Sequence, residues 1–129
     1  MTKATVSAGE GFISEVEIDS GHHVVFDASA GSGGGGKELT ATEGVSASLA
    51  SCTLMTMQMY AARKEWDLTG TTVEVDTTYE NANPSSFKVS IEFSDHLDPD
   101  QRKKLLVIAG KCPVHRLLTD PVPLETVAT

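Results

Sequence analysis

Aromatic residues, cysteines and positive charge are all scarce in this chain, and each shortage removes a class of function. Phe, Tyr and Trp make up 5 % of the 129 residues, too few for a platform on which bases stack. Lys and Arg number 10 against 18 Asp and Glu, a formal net charge of −8. That balance argues against nucleic acid and against anionic membranes. No apolar run approaches the roughly 18 residues of a membrane-spanning helix, and Met1-Thr-Lys-Ala-Thr5 lacks the apolar core of a signal peptide. The expectation is a soluble, cytoplasmic protein.

The two cysteines, Cys52 and Cys112, cannot form a disulfide scaffold. In a reducing compartment such a pair is more often catalytic or metal-binding than structural. The length suits one domain over residues 1–129, with a core built from Val, Leu, Ile, Met and Ala.

Residues 3–8, 11–18 and 22–27 alternate loosely with strand period and break at Gly9 and Ser20-Gly21, the pattern of a short antiparallel meander. Ala28 to Gly36 is glycine-rich without apolar periodicity, and is expected to be a flexible loop, the least ordered segment. From Thr40 to about Glu65 the spacing predicts a helix of roughly six turns, opened by a capping box at Thr40 and Glu43. Val45, Leu49, Cys52, Met55, Met59 and Ala62 recur on one face, but Ala47, Leu54 and Met57 make other faces apolar too. A helix greasy on most sides is a central one, covered by a sheet or by a second chain.

Val73, Val75, Thr77 and Tyr79, then Phe87, Val89, Ile91 and Phe93, alternate with polar neighbours as two half-buried strands joined by a turn-rich loop over Asn81–Ser86. Asp98-Pro99-Asp-Gln101 caps a second helix that stops near Gly110, before Pro113. Leu124 to Val127 is expected to add an edge strand. This order of elements, with strands wet on one face, fits an antiparallel α+β domain better than a doubly wound sheet.

Three chemistries compete for the polar residues. Gly31-Ser-Gly-Gly-Gly-Gly36-Lys37 resembles a phosphate loop, but Glu38 stands where a hydroxyl should hold magnesium, and its charge would repel phosphate. A metal site from His22, His23, Cys112 and His115 lacks a second close pair, and adjacent strand histidines point to opposite faces. Neither cofactor nor metal is expected. A thiol site remains: Cys52 lies in an apolar, small-residue segment and Cys112 at a helix end, which suits a nucleophile and a partner that resolves it. Taken alone, Cys52 reads more readily as an inert core thiol than as a reactive one, and Cys112 as a helix-end residue whose Pro113 simply terminates the helix.

The segments Val45-Ser-Ala-Ser-Leu-Ala-Ser-Cys52-Thr, Met59-Tyr-Ala-Ala-Arg-Lys-Glu-Trp66 and Leu105-Leu-Val-Ile-Ala-Gly-Lys-Cys112-Pro-Val-His-Arg-Leu117 resemble the OsmC/Ohr family. Within it they are most similar to the redox proteins with a Cys-Pro-Val-His-Arg signature. The resemblance implies an intertwined homodimer, with antiparallel sheet wrapped around long central helices and a site for organic hydroperoxides at the interface. It also implies that Cys52 attacks the peroxide to become a sulfenic acid, that Cys112 condenses with it to a disulfide, and that a dithiol such as a lipoyl group reopens the bridge. Glu43 matches the glutamate that orients an activating arginine in the family.

The arginine itself is missing, since none precedes Arg63. Lys3, His22, His23 and Lys37 are the upstream bases, lysine lacks arginine's planar fork, and Arg116 is a further candidate cation. Two other readings keep the fold without turnover. One is a binding protein for a small hydrophobic ligand in a cleft beside Met55 and Met59. The other is a redox sensor.

Overall fold

A computed structural model describes residues 1–120 and 122–129. The chain divides into two compact units, Met1–Val45 and Ser46–Thr129. In the first, β1 (Ala4–Thr5), β2 (Ser14–Ile18) and β3 (His23–Phe26) form an antiparallel sheet in chain order. Ser14 faces Phe26 and Val16 faces Val24 across the β2–β3 pair, so the expected meander is present with shorter strands.

The glycine-rich loop is tied down, contrary to expectation. Asp27 is buried, and its carboxylate accepts the amides of Ala28 at 2.8 Å, Gly35 at 3.1 Å and Lys37 at 3.5 Å. A 3₁₀ turn at Ala30–Ser32 folds the loop back, and a side chain at Gly34 would run into the Ala28 carbonyl. The protein's own carboxylate thus takes the place an anion holds in a phosphate loop.

Helix α1 (Ala41–Arg63) starts with the capping box expected: the Thr40 hydroxyl accepts the Glu43 amide at 3.1 Å, and the Glu43 carboxylate accepts the Thr40 amide at 2.8 Å. Gly44 is needed because a Cβ there would lie 2.7 Å from the Phe26 ring.

In the second unit the buried face of α1 is Leu49, Thr53, Met57 and Ala61, a strict four-residue stripe. That differs from the face read from spacing: Met55 and Met59 are 47 % and 65 % exposed. A helix apolar all round has no periodic signal to say which side its neighbours will take. Met57 and Ala61 pack with Leu68, Leu97, Leu105 and Ala109 as the core, flanked by Trp66 edge-on to Tyr60.

Strands β4 (Thr72–Glu80) and β5 (Asn83–Glu92) pair antiparallel, with Val73 opposite Ile91, Val75 opposite Val89 and Thr77 opposite Phe87 on one face. The loop expected over Asn81–Ser86 is instead a two-residue turn at Asn81-Ala82, and β5 begins at Asn83. Ser85 is the extra residue of a bulge opposite Thr78 and Tyr79, its hydroxyl donating to the Thr78 carbonyl at 3.1 Å. Asn-Pro-Ser-Ser has loop composition, yet a bulge absorbs one residue and leaves Pro84 next to the irregularity, where a missing amide does little harm.

Helix α2 (Pro99–Ala109) carries the capping box of Asp98 and Gln101 and ends before Gly110. A third helix, α3 (Pro113–Thr119), follows at once and was not foreseen, because Pro113 reads as a stop when it is in fact a first-turn residue. The expected strand at Leu124–Val127 is absent: these residues have no regular structure.

Two outcomes test this account. Ala82 holds φ at 65°, where a Cβ costs about 1 kcal/mol, so Ala82→Gly should raise unfolding stability by about that amount in a denaturant titration. Asp27→Ala orphans the loop amides and should cost about 2 kcal/mol, with protease nicking appearing between residues 28 and 37.

Candidate functional site: two thiols at the start of a short helix

Cys52 lies midway along α1 and is partly exposed, whereas Cys112 is fully buried. Both are free thiols. The turn after α2 is tight, with the Lys111 amide on the Ile108 carbonyl at 2.9 Å and the Cys112 amide on the Ala109 carbonyl at 3.4 Å. Cys112 is therefore left in an extended conformation as the N-cap of α3.

A helix start leaves amides without intrahelical partners, and a proline in its first position removes one of them. The remaining two in the first turn of α3 both turn to sulfur. The His115 amide donates to Cys112 Sγ at 3.5 Å, and the Val114 amide acts on both sulfurs, favouring the thiolate of each.

The two sulfurs are near enough to act on each other, Cys112 favouring ionisation of Cys52 and Cys52 opposing that of Cys112. Burial pushes the Cys52 thiol up, but the bonds from Cys112, from the Val114 amide and from the Thr56 hydroxyl outweigh it and hold Cys52 below its ordinary value. Thr56 donates to the Cys52 carbonyl at 2.7 Å. Its one proton serves the sulfur only when it turns away from that carbonyl. For Cys112, burial and the bond to Cys52 push the thiol up. The pair is thus split, with Cys52 shifted toward ionisation and Cys112 away from it.

Among the described residues, no cation is one of the groups acting on either sulfur. Arg116 is exposed and lines a surface recess with Lys111, Leu117 and Asp120, so the suggestion that it activates the thiol is not supported. Glu43 spends its carboxylate on the Thr40 amide and then the Thr40 hydroxyl, which hold it below the usual carboxylate range. Its place is in the first turn of α1.

The apolar cleft expected beside Met55 and Met59 lies elsewhere. A cavity of about 560 Å³ opens on a different face of α1, lined by Leu49, Thr53, Phe87, Val89, Leu106 and His115 among others. Among the described residues, no group of three or more His, Cys, Asp or Glu is placed to hold a metal ion, and no helix is long and apolar enough to cross a membrane.

Sequence reasoning singled out both cysteines, which the structure brings near each other, but not Thr56 or the Val114 and His115 amides. The signal was available in Cys112-Pro113, which is cap and first position of a helix as much as the end of one.

The fold and the paired thiols define a small α+β protein with a dithiol site. The chain belongs to the OsmC-like protein family, which matches residues 34–127. It is similar to a solved Psychrobacter arcticus structure with the provisional name of osmotic stress induced and detoxification response protein: 28 % identity, TM-score 0.80, covering 90 % of this chain and 87 % of that one. An OsmC-like protein of Mycoplasma pneumoniae has 16 % identity and TM-score 0.78, over 94 % of this chain and 89 % of the other. A Legionella pneumophila protein named organic hydroperoxide resistance protein OsmC has 17 % identity and TM-score 0.66, over 93 % and 90 %. No curated protein matches the chain.

Alkylation with iodoacetamide, followed by mass spectrometry across a pH series, checks the split. Cys52 should react at lower pH than Cys112 in the wild type. In Cys112→Ala, the pH at which Cys52 reacts at half its maximal rate should move up by about one pH unit, the worth of one hydrogen bond to a charged acceptor.

Proposed function

We propose that this protein is a cysteine-based peroxidase that reduces organic hydroperoxides. The observation that carries the reading is a partly exposed Cys52, held below its ordinary value, near a buried Cys112 that is pushed above its own. Membership of the OsmC-like family, and the organic hydroperoxide resistance names of structural neighbours, point to the same chemistry.

In this reaction the Cys52 thiolate attacks the terminal oxygen of ROOH, the O–O bond breaks, and sulfur is oxidised to a sulfenic acid as an alcohol leaves. Cys112 then attacks that sulfur, forming the Cys52–Cys112 disulfide with loss of water. A dithiol reductant, such as a lipoyl group, returns both thiols by exchange. Glu43 contributes by fixing the start of the helix that bears Cys52. The Cys-Pro-Val-His-Arg sequence supplies the resolving sulfur together with the amides that hold both sulfurs.

The reading includes a homodimer acting in the cytoplasm. Met55 and Met59 in the second unit, and Phe12 and Ile13 in the first, are 47–65 % exposed. The β4–β5 sheet has two strands and two open edges. A second copy of the chain satisfies such faces and edges together.

The test is turnover of cumene hydroperoxide with dihydrolipoamide. Cys52→Ser should abolish it, a loss of at least about a hundredfold. Cys112→Ser should retain one oxidation event per chain, seen as a dimedone adduct, without recycling. Equal turnover by wild type and Cys52→Ser would exclude the mechanism and leave a ligand-binding role for the cavity beside Leu49.

A further inference from the structure

Acidic residues outnumber basic ones in this chain, 18 to 10, yet none of them lines the cavity of about 560 Å³ beside α1. Its volume is that of a small-molecule site. The walls are apolar side chains of the second unit: Leu49 from α1, Phe87, Val89 and Ile91 from β5, Leu106 from α2 and Leu118 from α3. Among the lining residues only His115 can carry a charge.

The charged residues on these four elements lie outside the cavity. Helix α1 has none between Glu43 and Arg63. On β5, Lys88 stands opposite Asp76 and Glu92 opposite Thr72, on the sheet face away from Phe87, Val89 and Ile91. On α2, Arg102 is engaged on the Leu97 and Ser94 carbonyls and Lys104 lies over the Tyr60 ring, while Lys103 is exposed. Lys111, Arg116 and Asp120 line a different recess.

Most polar groups of the walls have already committed their protons. The Thr53 hydroxyl donates to the Leu49 carbonyl at 2.7 Å, the Ser85 hydroxyl to the Thr78 carbonyl at 3.1 Å, and the Thr119 hydroxyl to the His115 carbonyl at 3.0 Å. The His115 amide is engaged on Cys112 Sγ. Its imidazole, half-buried, has no protein partner among the described residues. The ring is thus a free donor, as is the hydroxyl of exposed Ser86, and it alone can add a charge.

We propose that this cavity is a binding site for a small amphiphilic carboxylate, its chain packed against Leu49, Phe87, Val89 and Leu106 and its head held by the His115 imidazole. A carboxylate brought against apolar walls loses hydration that only a partner of opposite sign restores. The imidazolium is that partner, through a charge-assisted hydrogen bond. Protonation of the ring and binding of the anion therefore favour each other, so affinity is highest at low pH and falls as pH rises. A cationic ligand would find no carboxylate there. No thiol takes part, and the site stands independently of the peroxidase reading.

Calorimetric titration of the full chain with octanoate, hexanoate and octan-1-ol at pH 6 and pH 8 tests the assignment. Octanoate should bind once per chain at pH 6, and about tenfold more weakly at pH 8, where imidazoles are neutral. Hexanoate, two methylenes shorter, should bind about tenfold more weakly than octanoate. Octan-1-ol should bind without that pH dependence.

His115→Gln, neutral but still able to hydrogen-bond, should bind octanoate at both pH values as weakly as the wild type does at pH 8. Leu106 is 59 % exposed, so Leu106→Trp fills the cavity from a wall position that tolerates a larger side chain. It should weaken octanoate and octan-1-ol alike by about tenfold or more. No octanoate binding by the wild type, equal pH dependence for octanoate and octan-1-ol, or a pH dependence that survives in His115→Gln would overturn the proposal. So would octanoate binding untouched by Leu106→Trp; a change in oligomeric state in that variant would then assign the cavity to a second copy of the chain. Turnover of cumene hydroperoxide is read separately, so either reading can fail while the other stands.

Discussion

Two amides at the start of α3 set the terms for the whole site. Pro113 has no N–H, so the first turn offers only Val114 and His115; His115 donates to Cys112 Sγ, and Val114 acts on both sulfurs. Neutral dipoles at this position stabilise a thiolate as a cation would, though less strongly and with less sensitivity to salt. In a chain with net charge −8 and no arginine before Arg63, this is how a thiol on α1 ionises without an adjacent positive side chain. The asymmetry between the sulfurs has the same origin. On Cys112 burial outweighs the amides, while on Cys52 the donors outweigh burial.

Carboxylates in this protein are used for the backbone before they are used for chemistry. Glu43 closes the capping box of α1, Asp98 opens α2, and Asp27 gathers three amides of the glycine-rich loop. Each removes an orphaned donor at a place where the chain changes direction. The helix that carries Cys52 and the helix that precedes Cys112 are thereby started at fixed residues: α1 at Ala41 and α2 at Pro99. From those starting points follow the positions of Cys52 and of the turn at Gly110-Lys111, and hence the nearness of the thiols.

Local patterns made much of this legible. The capping boxes, the alternation of Val73, Val75 and Thr77 with polar neighbours, and the meander before Asp27 depend on contacts a few residues apart, or on a period that one strand displays by itself. The features that were misread depend on more distant partners. Asn-Pro-Ser-Ser is a loop by composition and became strand once a bulge took up Ser85. The glycine-rich run has no order of its own until Asp27 binds its amides. The buried stripe of α1 was chosen by Leu105, Leu97 and their neighbours from a helix apolar on most sides.

By itself the sequence determined the α+β class, where α1 and α2 begin, and that Cys52 and Cys112 are the thiols the chain has to offer, because composition, caps and periodicity are local properties. The tertiary structure alone decided that the two thiols lie near each other, which of them is buried, and that amides stand where a cation was sought. Those outcomes require residues 60 apart in the chain to meet, and hydrogen bonding and desolvation act through space.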